Sequence, residues 1–148
     1  MTENQLNTSK GNILVVDDKQ ENLHLLITML SKQRYEVRPA CSGTQALSAV
    51  RSICPDLILL DIMMPQMDGY EVCECLKSYE QTKDIPIIFV SALSETFDKV
   101  KAFSVGGVDY ITKPFQAEEV LARVKTHLNM HRLQQQLAAQ NDKQPNKN

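Results

Sequence analysis

The sequence predicts an α/β fold: a doubly wound, five-stranded parallel sheet with an extended C-terminal helix. Two observations carry this. Residues 13–16 (ILVV), 57–60 (LILL) and 86–90 (PIIFV) are short apolar runs without alternation, the pattern of strands covered by helices on both faces. Between them apolar residues recur at helical spacing, and the connections are short, which implies right-handed crossovers.

In order, 13–16 is the first strand, and Leu23, Leu26, Ile27 and Leu30 mark the first helix. Residues 35–40 (YEVRPA) form a weaker second strand, placed at an edge by Pro39 and its charges. Ala46, Leu47, Val50 and Ile53 define the second helix, which Pro55 ends. Residues 57–60 form the third strand, and a third helix is expected over about 70–79. The fourth strand is 86–90, and the fourth helix lies near 97–105 with Gly106 and Gly107 as its stop signal. A short fifth strand follows at 108–111, and a helix runs from Ala117.

At 148 residues, 43% hydrophobic and 23% charged, the composition is that of one globular domain with a real core. No apolar run approaches the ~20 residues of a membrane span. The polar start, MTENQLNTSKGN, does not read as a signal peptide. A net charge of −2 offers no electrostatic case for direct nucleic-acid binding. Cys41, Cys54, Cys73 and Cys75 contain no CxxC pair and read as free thiols of a cytoplasmic protein.

The predicted topology gathers the strand C-termini at one rim, where open α/β sheets bind ligands. The first strand ends in Asp17-Asp18, the third in Asp61, the fourth in Ser91, and the fifth in Thr112-Lys113-Pro114. Pro65 biases Met64 toward an extended conformation, so a loop follows Asp61. Carboxylates crowded at a partly buried rim repel, raising a pKa unless a cation intervenes. A hard divalent cation with oxygen ligands resolves that, and Mg²⁺, which keeps several waters, fits best. Lys113 is placed to neutralise an anion arriving beside Asp61. Each group has an ordinary alternative: Asp18 with Glu21 as a helix N-cap pair, Ser91 as a solvated strand end, Lys113 as surface charge. Capping does not explain four strand ends that each carry a suitable group.

The stretches ILVVDD, LILLDIMMPQMDGYE, PIIFVSA and GGVDYITKPF resemble the receiver domain of two-component response regulators, from about residue 11 to 128. The resemblance implies a flavodoxin-like sheet of order 2-1-3-4-5. It also implies that Asp61 accepts a phosphoryl group from a histidine kinase or phosphotransfer protein. Asp17, Asp18, Asp61 and the backbone carbonyl of Met63 would hold Mg²⁺. Ser91 would bind one phosphoryl oxygen and Lys113 another, with Tyr110 as the aromatic switch residue and a cis Lys113–Pro114 bond. Gln20, where such proteins often carry proline, and Ser91, in place of the commoner threonine, are mild departures. Met63 and Leu93 border the path of hydrolytic water in receivers, and neither holds a water, so slow self-dephosphorylation is expected. Gly69 reads either as a close approach near this loop or as an ordinary turn glycine.

An aspartyl-nucleophile phosphohydrolase of the haloacid-dehalogenase type would need a general acid where Met63 stands. A nucleotide-binding module would need a glycine-rich loop after the first strand, where none of the glycines lies. A phosphorylation-independent docking platform would have no need of every phosphorylation group. These comparisons favour a phosphoacceptor switch over an enzyme.

The organisation expected is a flexible N-terminus (1–10), the receiver region (11–128), a helical extension (129–140) and a disordered tail (141–148). Residues 117–140 contain no Gly or Pro, and a helix of roughly 24 residues would span about 36 Å, more than one domain face requires. Val120, Leu121, Val124 and Leu128 form a core-facing stripe. Met130, Leu133 and Leu137 form a second, in shifted register. That second stripe suits a homodimer through the last helix. The resemblance adds the face made by the fourth helix, fifth strand and fifth helix as the other candidate. The sequence does not separate a complete adaptor from an excised receiver.

Overall fold

A computed structural model describes residues 9–92 and 98–143. Five parallel strands alternate with five helices: β1 (Asn12–Val16), α1 (Gln20–Ser31), β2 (Glu36–Ala40), α2 (Gly43–Ser52), β3 (Leu57–Asp61), α3 (Gly69–Lys77), β4 (Ile87–Ala92), α4 (Lys99–Ser104), β5 (Asp109–Lys113) and α5 (Ala117–Lys143). The sheet order is β2-β1-β3-β4-β5, with β1 and β3 paired from Ile13–Leu57 to Val16–Leu60. The flavodoxin-like topology expected from the sequence is the one observed.

The central strands β1, β3 and β4 are largely apolar because successive side chains point to opposite faces and both faces are covered, while the edge strands β2 and β5 carry charged residues. Leu14, Val16, Ile58, Leu60 and Phe89 pack against α2, α3 and α4 through Ala46, Val50, Val72, Cys73, Leu76 and Ala102. Ile13, Val15, Leu57, Leu59, Ile88 and Val90 face α1 and α5 through Leu23, Leu26, Leu30, Val120, Val124 and Leu128. Each fully buried Leu or Ile contributes about 1.5–3 kcal/mol. A one-residue slip of any central strand would exchange the two cores, so the pattern sets the register.

Two local expectations are corrected. Ile53 is not on the apolar face of α2; the helix ends at Ser52, and Ile53 is extended and 53% exposed. Arg38 secures this end from the edge strand, donating to the carbonyls of Ala49 (3.1 Å) and Ile53 (2.5 Å). Its charge, read as a mark of the edge, therefore closes a helix C-terminus. The N-cap of α1 is Lys19, without a side-chain cap bond, so Asp18 does not cap it.

The last helix continues through Lys143. Its docked stripe extends past Leu128 to the buried His131, and Arg132 donates to the Lys10 carbonyl. Met130, Leu133 and Leu137 are 49%, 58% and 60% exposed. Among the described residues no helix is long and apolar enough to cross a membrane.

Candidate functional site

The rim at the strand C-termini is built by the ends of β1, β3, β4 and β5. Asp17 follows β1, and its backbone N–H extends the ladder to the Ala40 carbonyl at 3.1 Å. Its Oδ1 accepts from the Lys19 N–H at 2.9 Å, a local turn of the kind Asp favours. Asp61 is the last residue of β3, opposite Val90 of β4. Ser91 sits one residue further along β4, opposite Thr112 of β5. Lys113 ends β5, and its bond to Pro114 is cis, as the resemblance implied.

These side chains converge. Asp17 and Asp61 are 1% and 2% exposed and Asp18 is half-buried, with one carboxylate oxygen of each within 4.8 Å of the others. Lys113 Nζ lies 3.4 Å from Asp61 Oδ1, to which it donates a hydrogen bond, and 3.2 Å from Asp17 Oδ2. The contact with Asp17 is an ion pair without hydrogen-bond alignment, so this buried Oδ2 accepts no hydrogen bond. Burial pushes the Asp61 carboxyl up to about 7, and the Asp17 charge pushes the same way; Lys113 opposes them, while Asp18 adds a smaller push upward. Burial works to lower the Lys113 ammonium, but Asp61 and Asp17 outweigh it and hold the ammonium above its usual range.

Among the described residues Lys113 thus contacts two of the three carboxylates. An acceptor-only oxygen set with a buried Oδ2 that accepts no hydrogen bond fits a hard divalent cation, which would relieve the repulsion and take that oxygen as a ligand. The pocket is one in which Asp17, Asp18 and Asp61 could hold a metal ion.

The loop after β3 explains Gly69. The Gly69 N–H donates to the Ile62 carbonyl at 2.8 Å. A Cβ there would stand 2.4 Å from the Asp61 carbonyl oxygen and 2.9 Å from Ile62 Cα. Any side chain would push α3 off the strand end that carries Asp61. The close-approach alternative is the correct one, and Asp68 and Glu71 close a capping box over this helix start, both bonds 2.9 Å.

Ser91 is buried, and its Oγ donates to its neighbour's carbonyl, Ala92 O, at 3.2 Å. Tyr110 is half-buried, with Lys99 Nζ 5.1 Å from its ring centroid. Met63 lies in the loop two residues past Asp61, 56% exposed. Leu93 lies outside the described residues. Sequence reasoning missed a second charged cluster, at the start of β5. Asp109 accepts from Arg123 Nη1 through both oxygens at 2.9 Å and contacts His127 Nε2 at 2.9 Å. The i, i+4 spacing of Arg123 and His127 on α5 was its available signal.

Response regulator receiver domains match residues 13–125 of the chain. RpaA of Synechocystis sp., named a DNA-binding dual master transcriptional regulator, is 40% identical over 116 residues, 78% of this chain and 48% of that protein. PhoP of Bacillus subtilis, named an alkaline phosphatase synthesis transcriptional regulatory protein, is 45% identical over 116 residues, again 78% and 48%. The chain therefore spans about half the length of these curated relatives. The crystal structure of a response regulator from Chloroflexus aurantiacus J-10-fl is similar with a TM-score of 0.77 and 34% identity, over 80% of this chain and 98% of that one. Fold, rim and relatives agree: the chain belongs to the response regulator receiver domain family of two-component signalling.

Proposed function

We propose that Asp61 is the phosphoacceptor, taking a phosphoryl group from the phosphohistidine of a histidine kinase or phosphotransfer protein. The observation that carries this is a buried Asp61 bonded to Lys113 beside two further carboxylates. An Asp61 oxygen attacks phosphorus; the P–N bond breaks, its electron pair stays on the imidazole nitrogen, and an O–P bond closes the mixed anhydride. Lys113 neutralises one phosphoryl oxygen. The Ser91 hydroxyl turns from the Ala92 carbonyl to donate to another. Asp17, Asp18, Asp61 and the Met63 backbone carbonyl would hold Mg²⁺, which supplies charge neutralisation for the transferred group. In self-dephosphorylation water attacks phosphorus, the O–P bond breaks, and inorganic phosphate leaves the Asp61 carboxylate free.

The chain is thus a phosphoacceptor switch that promotes its own phosphoryl transfer and loss. Inward movement of Ser91 leaves space for Tyr110, biasing the α4–β5–α5 face toward a partner-binding form by population shift. Val100 and Phe103 of α4 are exposed large hydrophobic residues. The output proposed is a change in protein–protein contact, in the cytoplasm, without direct contact of this domain with nucleic acid. Intact-mass measurement after treatment with acetyl phosphate and Mg²⁺ tests the assignment. One added phosphoryl group is expected on the parent and none on Asp61→Asn; equal yields would refute it.

Self-association is the second proposed contact, along Met130, Leu133 and Leu137 or across α4–β5–α5. The exposed stripe on a helix reaching Lys143 supports the first, since a solitary helical projection is marginal in water. Sedimentation of Leu133→Asp/Leu137→Asp should shift toward monomer relative to the parent; identical behaviour would leave α4–β5–α5 as the remaining face.

A further inference from the structure

The loop between Asp61 and α3, residues 62–68, carries the Met63 carbonyl. Its ends are fixed: the Ile62 N–H donates to the Val90 carbonyl at 3.1 Å, and the Gly69 N–H to the Ile62 carbonyl at 2.8 Å. Its middle is strained. Gln66 has a φ of 72°, and the Met67 N–H reaches back across it to the Pro65 carbonyl at 2.8 Å. A γ-turn with positive φ at a non-glycine residue persists only where the surroundings hold it.

Those surroundings lie on α2. Met67 is half-buried and packs against the core. Its side chain fills a notch at Gly43, where a Cβ would stand 2.8 Å from Met67 Cγ and Sδ and 2.9 Å from Met67 Cβ. Gly43 is buried in the first turn of α2, and its φ is not positive, so the backbone does not require a glycine there. The space does. The wall of the notch is itself fixed, because Ser42 Oγ accepts from the Gln45 N–H at 3.1 Å and Gln45 Oε1 from the Cys41 N–H at 2.9 Å. A methyl group at position 43 would press on Met67 as far in as its Cβ, and relief at that depth moves the loop backbone.

We propose that Gly43 and Met67 are positioning residues for the divalent cation. The first turn of α2 presents the notch, Met67 locks into it, and the lock sets where the Met63 carbonyl lies relative to Asp17, Asp18 and Asp61. This rests on the reading that this carbonyl and these carboxylates hold Mg²⁺. Gly43 and Met67 act through the loop and are not ligands. A ligand held in place by packing needs no reordering when the cation arrives, so loosening its support weakens binding.

The test is calorimetric titration of the full chain with MgCl₂ at constant pH and ionic strength, with a thermal melt of each variant. One bound Mg²⁺ is expected on the parent. Gly43→Ala should raise the dissociation constant about tenfold. Met67→Ala, which empties the notch without crowding it, should weaken binding in the same direction, and it decides the matter if Gly43→Ala does not fold. Val50→Ala, at a buried core position further along α2, should lower Tm but leave the dissociation constant within about twofold. Unchanged affinity in Met67→Ala, or an equal loss in Val50→Ala, would overturn the proposal and leave the metal reading standing. A parent that binds no Mg²⁺, or binding untouched by Asp18→Asn, would overturn the metal reading and the proposal with it.

Discussion

Asp61 closes β3 and Asp109 opens β5, at opposite ends of a sheet in which β4 lies between the two strands, and burial works to raise both carboxyl pKa values. They part company through their neighbours. Asp109 is met by the His127 ring, its own Tyr110 N–H and the Arg123 guanidinium, and is held below the usual carboxylate range. Asp61 meets two more acids and a single lysine, and is pushed up to about 7. One carboxylate is matched to its surroundings within the fold; the other is matched only once a cation or a phosphoryl group arrives. Burial alone does not mark a chemical site. Burial with a deficit of partners does.

The largest effect that would sharpen this contrast is on phosphoryl acceptance. Lys113→Met removes the cation that contacts Asp61 and should slow adduct formation by about 100-fold, measured by quenched time courses with acetyl phosphate. Asp109→Asn should leave the rate within a few fold. Comparable losses in both would break the distinction.

Stability should move in opposite directions. In the metal-free protein Asp61 binds its proton more tightly folded than unfolded. From about pH 4 to about 7 the folded state holds more protons, and stability falls as pH rises through that window. Asp61→Asn should therefore stabilise the metal-free protein by about 1–3 kcal/mol at pH 7.5, with the gain vanishing toward pH 4 or on adding Mg²⁺. Asp109 has a lowered folded pKa, so its contribution is present above about pH 4 and is lost below, as pH falls through the folded value. Asp109→Asn should destabilise by about 1–2 kcal/mol at pH 7.5, because Arg123 and His127 lose the carboxylate charge and one of its two acceptor oxygens. Urea unfolding across pH 4–8 checks both signs. His131, whose pKa burial lowers, is common to parent and variant and cancels in their difference.

The smallest effect concerns the lifetime of the phosphorylated state. Met63, two residues past Asp61 and exposed, has no side-chain group that would hold a hydrolytic water. Met63→Asn should shorten the phosphoprotein half-life several-fold, read from decay of the adduct; an unchanged decay would remove Met63 from the path.

The central strands and the rim were legible because their signals are local and redundant. A run such as LILLD has one comfortable place, a strand covered on both faces, and its terminal acid follows the strand to the rim. The order of motifs then brought Asp17, Asp18 and Lys113 beside Asp61, with Ser91 near the end of the adjoining strand β4. What escaped depends on contacts remote in sequence. Ile53 fits the helical spacing of α2, but the helix ends before it and Arg38, fifteen residues earlier, holds its carbonyl. Asp18 satisfies the rule for an N-cap, yet the chain turns through Asp17 and Lys19 instead. Gly69 was ambiguous because its need for a bare Cα is set by the carbonyl of Asp61. His131 continues the docked stripe of α5, and its polarity concealed that in the sequence.

The most direct test of the central claim is chemical mapping of the acceptor. The parent, phosphorylated with acetyl phosphate and Mg²⁺, is reduced with borohydride, which converts an aspartyl phosphate to homoserine, and is then digested and sequenced by mass spectrometry. Homoserine at position 61 alone is the expected result. Homoserine at Asp17 or Asp18, or an added phosphoryl group with position 61 unreduced, would contradict the account.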